Sequence, residues 1–288
     1  MIALPGRAPI EIPARPMRIV AANSGAADIL SALIGVERFA AVPTQVDYYA
    51  AAHEFWKLHP EISRFEHYRA EVLLGLRPDL VVTSAFQDAN TTAVLKHHGI
   101  PVLSFDNFET FDGIRAAMGK IGEAVDETAR ASQAAADFDA RLSRVASRLA
   151  GKKPLRVLYY SNYGSGFTTG AGGSQDEILR CAGGSNAAAE LGLKGPSPIT
   201  FEQILRLDPD AFVVCGAEGR DSAQAKLIAN EPALSSLRAI KSARIAVVPG
   251  RLFDALSPQV VDAVEILASQ FYPEASADSR ALGAPGEK

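Results

Sequence analysis

Short apolar runs alternate with amphipathic stretches along most of the chain, and this alternation predicts strands and helices in turn. The run "MRIVAA" (17–22) is rich in β-branched residues, and "NSGAADILSALIG" after it has the cap and the periodicity of a helix. The alternation continues through "FAAVP", "EVLLGLR", "LVVTS", "TTAVLKHHG" and "IPVLSFD". Strands that alternate with helices indicate a parallel sheet covered by helices and built from βαβ units.

Residues 110–151 have a different pattern, in which apolar side chains recur at steps of three and four. The apolar positions are Ile114, Met118, Ile121, Val125, Phe138, Leu142, Val145 and Leu149. They form one helical stripe, and "GKKP", which begins at Gly151, follows it as a stop signal. The pattern predicts one long helix, or two nearly collinear helices.

The alternation resumes after this segment and closes on a helix in "SPQVVDAVEILASQFY". One unit occurs twice: "EVLLGLRPD" (71–79) precedes "LVVTS", and "EQILRLDPD" (202–210) precedes "AFVVC". A helix, a Pro-Asp pair and a strand therefore recur at the same internal spacing, which predicts two similar lobes. We expect an N-terminal α/β lobe at 17–109, an interlobe helix at 110–151, a C-terminal α/β lobe at 152–274, and flexible ends at 1–16 and 275–288.

Composition and charge exclude several classes of protein. The net charge of −4 and the pI near 5.8 make nucleic acid and membrane surfaces unexpected partners. No apolar run reaches the roughly 20 residues that a spanning helix needs. The first residues lack the regions of a signal peptide, so we expect a cytoplasmic protein or a chain whose leader has been removed. Cys181 and Cys215 form no CxxC motif and are expected as small buried residues, with their disulfide state open.

The loops that follow the strands are the candidate ligand contacts, because ligands of open α/β sheets bind beyond the carboxyl ends of the strands. Two lobes that face each other would place these loops around a cleft. The candidates are Asn23, Ser24, Tyr48, Tyr49, Phe86, Gln87, Tyr163, Phe167, Glu218, Arg220, Arg251 and Phe253. The set is aromatic with a few polar groups, as small-molecule pockets usually are.

A bare-metal site has only partial support. His53, His59 and His67 are close along the chain, but the second half of the sequence has no histidine. A zinc or manganese site shared between the lobes would need carboxylates such as Glu218 or Asp254. We expect solvated surface histidines and predict no metal site.

An enzyme is the alternative from another class. The run "YGSGFTTGAGG" precedes a predicted helix and suggests a nucleotide-binding Rossmann-type enzyme that uses residues 163–174. Thr169 stands where the third glycine belongs, and neither a Walker lysine nor a GxSxG elbow is present. We therefore expect no enzymatic activity and no cofactor.

Six segments between Met17 and Glu274 carry a resemblance to a known family. They are "RIVAANSGAADILSALIGVERFAAV", "AEVLLGLRPDLVV", "GIPVLSFD", "ILRCAGGSNAAAELG", "ITFEQILRLDPDAFVV" and "LSPQVVDAVEILASQFYPE". In this order they resemble the substrate-binding proteins of ABC importers for iron siderophores, haem and cobalamin. The resemblance implies the class III periplasmic binding protein fold, in which two doubly wound, Rossmann-like α/β lobes are joined by a single long helix and hold ligand in a shallow cleft.

The resemblance also implies a function and partners. Such proteins act as monomers in the periplasm, or tethered outside the cell, and deliver a metal chelate to a permease dimer with its ATPase. One glutamate at the start of the equivalent helix in each lobe meets arginines of the permease, and Glu71 and Glu202 match these positions. The helix dipole favours carboxylates at such helix starts, and capping of the helix is the alternative role.

Several ligands are compatible with the resemblance. Ferric siderophores are the first candidate, because Arg220, Arg251 and the aromatic loops suit an anionic or neutral chelate. Cobalamin or cobinamide is an alternative, since Phe65, Phe167 and "DYY" (47–49) resemble positions of cobalamin-binding members, although Arg251 and Ser197 depart from their pattern. Haem is a third candidate, with Tyr68 near the place of an axial tyrosine.

Overall fold

A computed structural model of the chain describes residues 1–3, 8–106, 108–162, 164–216 and 222–274. Its contacts divide the chain into two compact units. The first unit contains Met1–Phe138 and Ala255–Gln259, and the second contains Asp139–Asp254 and Val260–Lys288. The short segment Ala255–Gln259 therefore belongs with the first unit, although the chain on both sides of it belongs with the second.

The first unit contains a parallel sheet of five strands among the described residues. The strands are β1 (Ile19–Ala21), β2 (Phe39–Pro43), β3 (Arg64–Phe65), β4 (Leu80–Ser84) and β5 (Val102–Phe105). Their order across the sheet is β3-β2-β1-β4-β5, and each neighbouring pair is parallel. All residues of β1 and β4 are buried, as expected for a parallel sheet with both faces covered.

Helices connect these strands, as the alternating pattern predicts. They are α1 (Ser24–Leu33), α2 (Val46–Tyr49), α3 (His53–Leu58), α4 (Ala70–Gly75), α5 (Ala89–His97), α6 (Phe111–Ala124) and α7 (Thr128–Arg148). Side chains cap three of them: Asn23, Asp88 and Thr110 each accept a hydrogen bond from a backbone amide in the first turn. The predicted helix at 110–151 is thus two helices, and the division between the two units falls within α7.

The break between α6 and α7 has a clear cause in the residues around it. Asp126 adopts a left-handed backbone with φ of 60°, which ends the helical path. Arg38 is only 1% exposed, and it donates hydrogen bonds to the carbonyl oxygen of Val125 (2.6 Å) and to Glu127 Oε1 (3.2 Å). At Gly122 a Cβ would lie 2.3 Å from Ala131 Cβ, so only glycine permits this approach. The buried guanidinium and the glycine together fix the turn.

The second unit contains a parallel sheet of four strands and a small antiparallel sheet in its described part. The strands are β6 (Leu155–Tyr159), β7 (Ser161–Asn162), β8 (Gly166–Thr169), β9 (Gly184–Asn186), β10 (Pro196–Pro198), β11 (Ala211–Gly216) and β12 (Ile245–Pro249). The parallel order is β12-β11-β6-β9, and the antiparallel order is β10-β8-β7. The helices are α8 (Gly173–Cys181), α9 (Phe201–Leu207), α10 (Ala223–Ala229), α11 (Arg238–Lys241), α12 (Gly250–Phe253) and α13 (Val260–Phe271). Both units therefore have the predicted α/β architecture.

The sequence repeat corresponds to a structural repeat. In the first unit α4 is followed by a left-handed residue, Arg77 (φ 48°), then by proline, aspartate and β4. In the second unit α9 is followed by the left-handed Asp208 (φ 40°), then by proline, aspartate and β11. Each copy therefore uses the same backbone path from helix to strand.

The remaining expectations concern the ends of the chain and the cysteines. Ile2 and Ile10, in the segment predicted to be flexible, pair through two backbone hydrogen bonds of 2.8 Å. Residues 275–288, also predicted to be flexible, lie outside the described residues. Cys181 and Cys215 are both half-buried and form no disulfide. Among the described residues, no helix combines the length and the apolar character needed to cross a membrane.

Candidate functional site

The carboxyl ends of the first unit's strands gather the predicted contact residues at one edge of its sheet. Asn23 follows β1, Tyr48 and Tyr49 follow β2, and Phe86 and Gln87 follow β4. Because β2 and β4 flank β1 on either side and all three are parallel, the three loops are neighbours at the same edge. We call these five residues the aromatic edge.

Three large rings of the aromatic edge are open to solvent. Tyr48 is 75% exposed, Tyr49 68% and Phe86 68%. The rings of Tyr48 and Tyr49 are tilted against each other, with 6.4 Å between their centroids. Exposed aromatic rings clustered at a loop edge mark a contact surface, because aromatic faces provide large apolar area with little loss of side-chain entropy.

Polar side chains follow β1 and β4 at the same edge of the sheet. Asn23 Oδ1 accepts a hydrogen bond from the Ala26 amide (2.8 Å), whereas Asn23 Nδ2 is buried without a partner among the described residues. Gln87 Nε2 donates to the carbonyl oxygen of Ala22 (3.2 Å), which ties the loop after β4 to the end of β1. Ser24 is the first residue of α1 and is half-buried. The Asn23 amide nitrogen is therefore a donor whose hydrogen-bonding capacity is unused in the described part of the chain.

A buried carboxylate binds the backbone that follows Tyr48 and Tyr49, and the sequence pattern did not reveal it. Asp28 on α1 is 1% exposed and accepts hydrogen bonds from the amides of Ala51 (2.8 Å) and Ala52 (3.1 Å). The indole Nε1 of Trp56 and the hydroxyl of Ser257 also donate to it, each at 3.4 Å. Burial raises the pKa of Asp28 to about 6, although the four hydrogen bonds oppose the shift. This carboxylate joins α1, the residues after α2, and the segment Ala255–Gln259.

Two other residues of the first unit that were predicted to contact ligand, Phe65 and Tyr68, contact other residues of the same unit instead. Phe65 is 6% exposed and packs in the core against β1 and β4, which argues against direct ligand contact. Tyr68 is half-buried, and its hydroxyl lies 3.1 Å from Thr92 Oγ1. The Tyr68 hydroxyl therefore already has a hydrogen-bond partner, which weakens its prediction as an axial haem ligand.

The second unit keeps fewer of its predicted contacts accessible. Phe253 is 0% exposed, and its ring lies 4.8 Å from that of Tyr159, so it is a packing residue rather than the predicted ligand contact. Phe167 is 37% exposed on β8, and Arg251 is half-buried on α12. Tyr163, Glu218 and Arg220 lie outside the described residues.

The alternative sites find little support. A dinucleotide loop requires a tight turn from strand to helix, but β7 and β8 lie between β6 and α8. In the part of the chain that the structure describes, no group of three or more histidine, cysteine or acidic residues is arranged to hold a metal ion. His53 and His59 instead face Glu54 and Glu61, at 2.9 Å in each case.

The predicted docking glutamates occupy matching positions. Glu71 and Glu202 are each the second residue of their helix, α4 and α9, and both are exposed. Within the described residues neither carboxylate has a hydrogen bond or an ion pair, so neither caps its helix through its side chain. In α9 that role belongs to Thr200 and Gln203, which form a capping box. Both carboxylates are available to an external cation.

Comparison with known proteins agrees with this architecture. The sequence profile of the family described as "Periplasmic binding protein" matches residues 19–252. The chain belongs to the periplasmic binding protein family. The members of this family are binding proteins, so the chain is not an enzyme.

Individual relatives of this periplasmic binding protein differ in their named ligands. A cobalamin-binding protein of Halobacterium salinarum is 25% identical over 204 residues, which cover 70% of this chain and 55% of that protein. An uncharacterized ABC transporter substrate-binding lipoprotein of Bacillus subtilis is 28% identical over 211 residues, covering 71% and 65%. The chain thus spans less than two thirds of the length of these two relatives.

Solved structures share the fold. The apo form of a periplasmic haem-binding protein of Roseiflexus sp. RS-1 superposes with a TM-score of 0.75 at 22% identity, covering 90% of this chain and 98% of that chain. At this identity the likeness establishes the fold alone. It supports the predicted class III periplasmic binding protein fold.

Asp28 generates a prediction about pH. Its pKa is about 6 in the folded protein and near 4 in the unfolded chain, so its contribution to stability is complete below pH 4 and is lost as the pH rises through 6. The free energy of unfolding of the wild type, minus that of Asp28→Asn, should fall by about 2.5 kcal/mol between pH 4 and pH 7.5. Chemical denaturation at a series of pH values measures this difference.

Trp56 provides a spectroscopic control for the same group. Its fluorescence should titrate with a midpoint near 6 in the wild type and in His53→Gln, but not in Asp28→Asn. The His53→Gln variant is the control because His53 lies on α3 with Trp56 and is also a titratable group. A difference in unfolding free energy that is flat with pH would show that the Asp28 pKa is not raised.

Proposed function

We propose that this protein is the extracytoplasmic solute-binding component of an ABC importer and that it captures a metal chelate. The observation that carries the proposal is the aromatic edge, where three solvent-exposed rings and an unpaired amide donor follow the carboxyl ends of neighbouring parallel strands. Membership in the periplasmic binding protein family supports it. The function consists of capture and release, without covalent chemistry.

The ligand in this proposal has a broad, largely apolar surface with a few acceptor atoms. Rings such as those of Tyr48, Tyr49 and Phe86 contact such surfaces, and Asn23 Nδ2 can donate to an acceptor. A ferric siderophore is our first candidate, and Phe167 and Arg251 of the second unit are proposed as further contacts. Direct coordination of a bare metal has no ligand cluster among the described residues.

Cobalamin or cobinamide is the second candidate. The relative in Halobacterium salinarum is named as a cobalamin-binding protein, and the tyrosines of "DYY" (47–49) are exposed, as contact with a large ligand requires. Haem is a weaker candidate, because the hydroxyl of Tyr68 is already held by Thr92.

We further propose that α4 and α9 dock onto the permease through Glu71 and Glu202. Their equivalent places in the two copies of the repeat, their exposure and their lack of partners among the described residues support this role. Each helix also exposes an apolar residue, Val72 (43%) on α4 and Leu205 (38%) on α9. A charge beside an apolar contact favours correct orientation of a partner with arginines on its surface.

The location and assembly follow from this role and stay part of the proposal. We propose a monomer in the periplasm, or tethered outside the membrane, that delivers its ligand to a permease dimer with its ATPase. The bounds 17–109 and 152–274 stay our prediction for the two lobes. The named lipoprotein relative in Bacillus subtilis is consistent with a location outside the cytoplasm.

The ligand can be identified by titrating Trp56, the single tryptophan, which is buried and bonded to Asp28 beneath the tyrosine loop. Ferric hydroxamates, ferric catecholates, cobalamin, cobinamide, haemin, zinc and manganese form the panel. We expect saturable fluorescence change with one chelate class. In the double variant Tyr48→Ala/Tyr49→Ala the affinity should fall by about tenfold or more, because two ring contacts are lost.

The matched control for this experiment is Leu58→Ala. Leu58 is 75% exposed, like Tyr48, but lies at the end of α3. Its removal should change the affinity by less than about twofold, as surface substitutions usually do. No saturation by any chelate, or equal affinity in the tyrosine variant, would contradict the binding proposal.

The docking role is tested with Glu71→Ala/Glu202→Ala. Transport by the reconstituted importer should be abolished, while chelate affinity measured through Trp56 stays within about threefold, because the two carboxylates contact the partner and not the ligand. Asp112→Ala is the matched control, since Asp112 is an acid in the first turn of α6 with a 96% exposed side chain. A loss of chelate affinity instead of transport would place the glutamates in the ligand site and contradict docking.

A further inference from the structure

Each unit contains an arginine that binds the end of the repeated helix from the start of a neighbouring strand. In the first unit Arg18, directly before β1, donates from Nη2 to the carbonyl oxygen of Leu76 (2.6 Å) and from Nε to that of Arg77 (3.0 Å). Asp79 completes the contact, because its carboxylate accepts the backbone amides of Met17 (2.6 Å) and Arg18 (2.9 Å). The end of α4, the start of β1 and the start of β4 are thereby joined at one point.

The second unit repeats the arrangement with different flanking sequence. Arg156 on β6 donates from Nη2 to the carbonyl oxygen of Leu207 (2.8 Å) and from Nη1 to that of Asp208 (3.2 Å). Asp210 accepts the backbone amide of Arg156 (2.9 Å) and returns its own amide to the Arg156 carbonyl (2.7 Å). The two contacts therefore match residue by residue: Arg18 with Arg156, Leu76 with Leu207, and Asp79 with Asp210. We call each of them a clamp.

The chemistry of the clamp suits the end of a helix. The last carbonyl groups of a helix lack partners within it, and the helix dipole places partial negative charge there, so a guanidinium satisfies both. Its planar fork also fixes the direction of the carbonyls that it binds. Both clamped helices are short, with six residues in α4 and seven in α9, so a contact at one end controls the orientation of the other.

The two clamps differ in their supporting contacts. Arg156 is also held by Glu190 through its Nε (2.9 Å) and Nη2 (2.7 Å). Arg238 binds Asp208 and lies 3.1 Å from Asp210. In the described residues Arg18 has no side-chain partner of this kind. The first clamp therefore depends on Arg18 alone and is the better one to test.

We propose that Arg18 and Arg156 are positioning residues for importer docking. They fix the C-terminal ends of α4 and α9, so that Glu71 and Glu202 at the N-terminal ends point in defined directions. The inference rests on the proposed docking function. A positioning role explains why both copies of the repeat have a glutamate at the start of the helix and a Pro-Asp pair after it. It also explains why, in each unit, an arginine at the start of an earlier strand binds the end of that helix. A clamp that served stability alone would not need to occur on both of the helices that carry the exposed glutamates.

The test is a double-mutant cycle between Arg18 and Glu71. The readout is the dissociation constant of the ligand-free protein for the permease–ATPase complex in nanodiscs. Glu71→Ala should weaken binding by about tenfold and Arg18→Gln by about threefold to tenfold, on the scale of a lost interface charge contact. Because Arg18 acts through Glu71, adding Arg18→Gln to Glu71→Ala should weaken binding by less than about twofold further.

Two controls separate positioning from a general loss of stability. Arg130→Gln removes a similar contact, since Arg130 Nη1 binds the carbonyl oxygen of Leu33 at the end of α1 (2.9 Å), and it should leave importer affinity unchanged. Amide hydrogen exchange in α4 should rise in Arg18→Gln but not in Arg130→Gln. Arg156→Gln paired with Glu202→Ala repeats the cycle in the second unit should Arg18→Gln fold poorly.

The outcomes distinguish the inference from the docking proposal. Equal losses for Arg18→Gln in the wild-type and Glu71→Ala backgrounds, or no loss at all while Glu71→Ala weakens binding, would overturn the positioning role and leave docking intact. No effect of Glu71→Ala and Glu202→Ala on importer affinity would overturn the docking proposal and the inference with it.

Discussion

The parallel pairing of β1 with β4, and of β6 with β11, is the constraint on which the rest of each unit depends. In both pairs an aspartate directly before one strand, Asp79 or Asp210, accepts a backbone amide at the start of the other strand. A slip of one residue in register would move each side chain to the opposite face of the strand. The aspartates therefore fix which residues end each strand, and so which loops meet at the carboxyl edge.

The same register determines which residues lie at the carboxyl ends of the strands and which lie at their starts. In the first unit the loops at the carboxyl ends of the strands hold Tyr48, Tyr49 and Phe86 in solvent, where they can meet a ligand. At the starts of the strands, Arg18 and Arg156 bind the ends of α4 and α9, the helices that carry the exposed glutamates. The proposed ligand contacts and the proposed importer contacts thus come from different parts of one framework, so either set could change without loss of the other.

Asp28 shows that the aromatic edge is held by a group that opposes stability at neutral pH. A carboxylate with 1% exposure and a pKa near 6 is largely ionised at pH 7, and its desolvation is only partly offset by four hydrogen-bond donors. The donors come from three separate stretches, at residues 51–52, 56 and 257. Such a group keeps the backbone after the tyrosines in one conformation, because that backbone supplies two of its hydrogen bonds.

Much of the framework was predictable from local pattern, because the buried strands are β-branched apolar runs and the helices have capping residues such as Asn23 and Thr110. The antiparallel sheet was missed, since "PSP" at β10 and the glycines around β8 read as loop. The exposed tyrosines and Phe86 were found from their place after strands. The burial of Phe253 against Tyr159, the Asp28 network and the arginine clamps depend on contacts between distant residues, which periodicity does not reveal.

Carbene footprinting of the protein, with and without the chelate that saturates in the Trp56 titration, tests the central claim most directly. The account predicts that labelling of Tyr48, Tyr49 and Phe86 falls when the chelate binds, while labelling of Leu58 and Leu227, which are also exposed, stays constant. Unchanged labelling of the three rings at saturating chelate, with protection elsewhere, would show that the aromatic edge is not the ligand site.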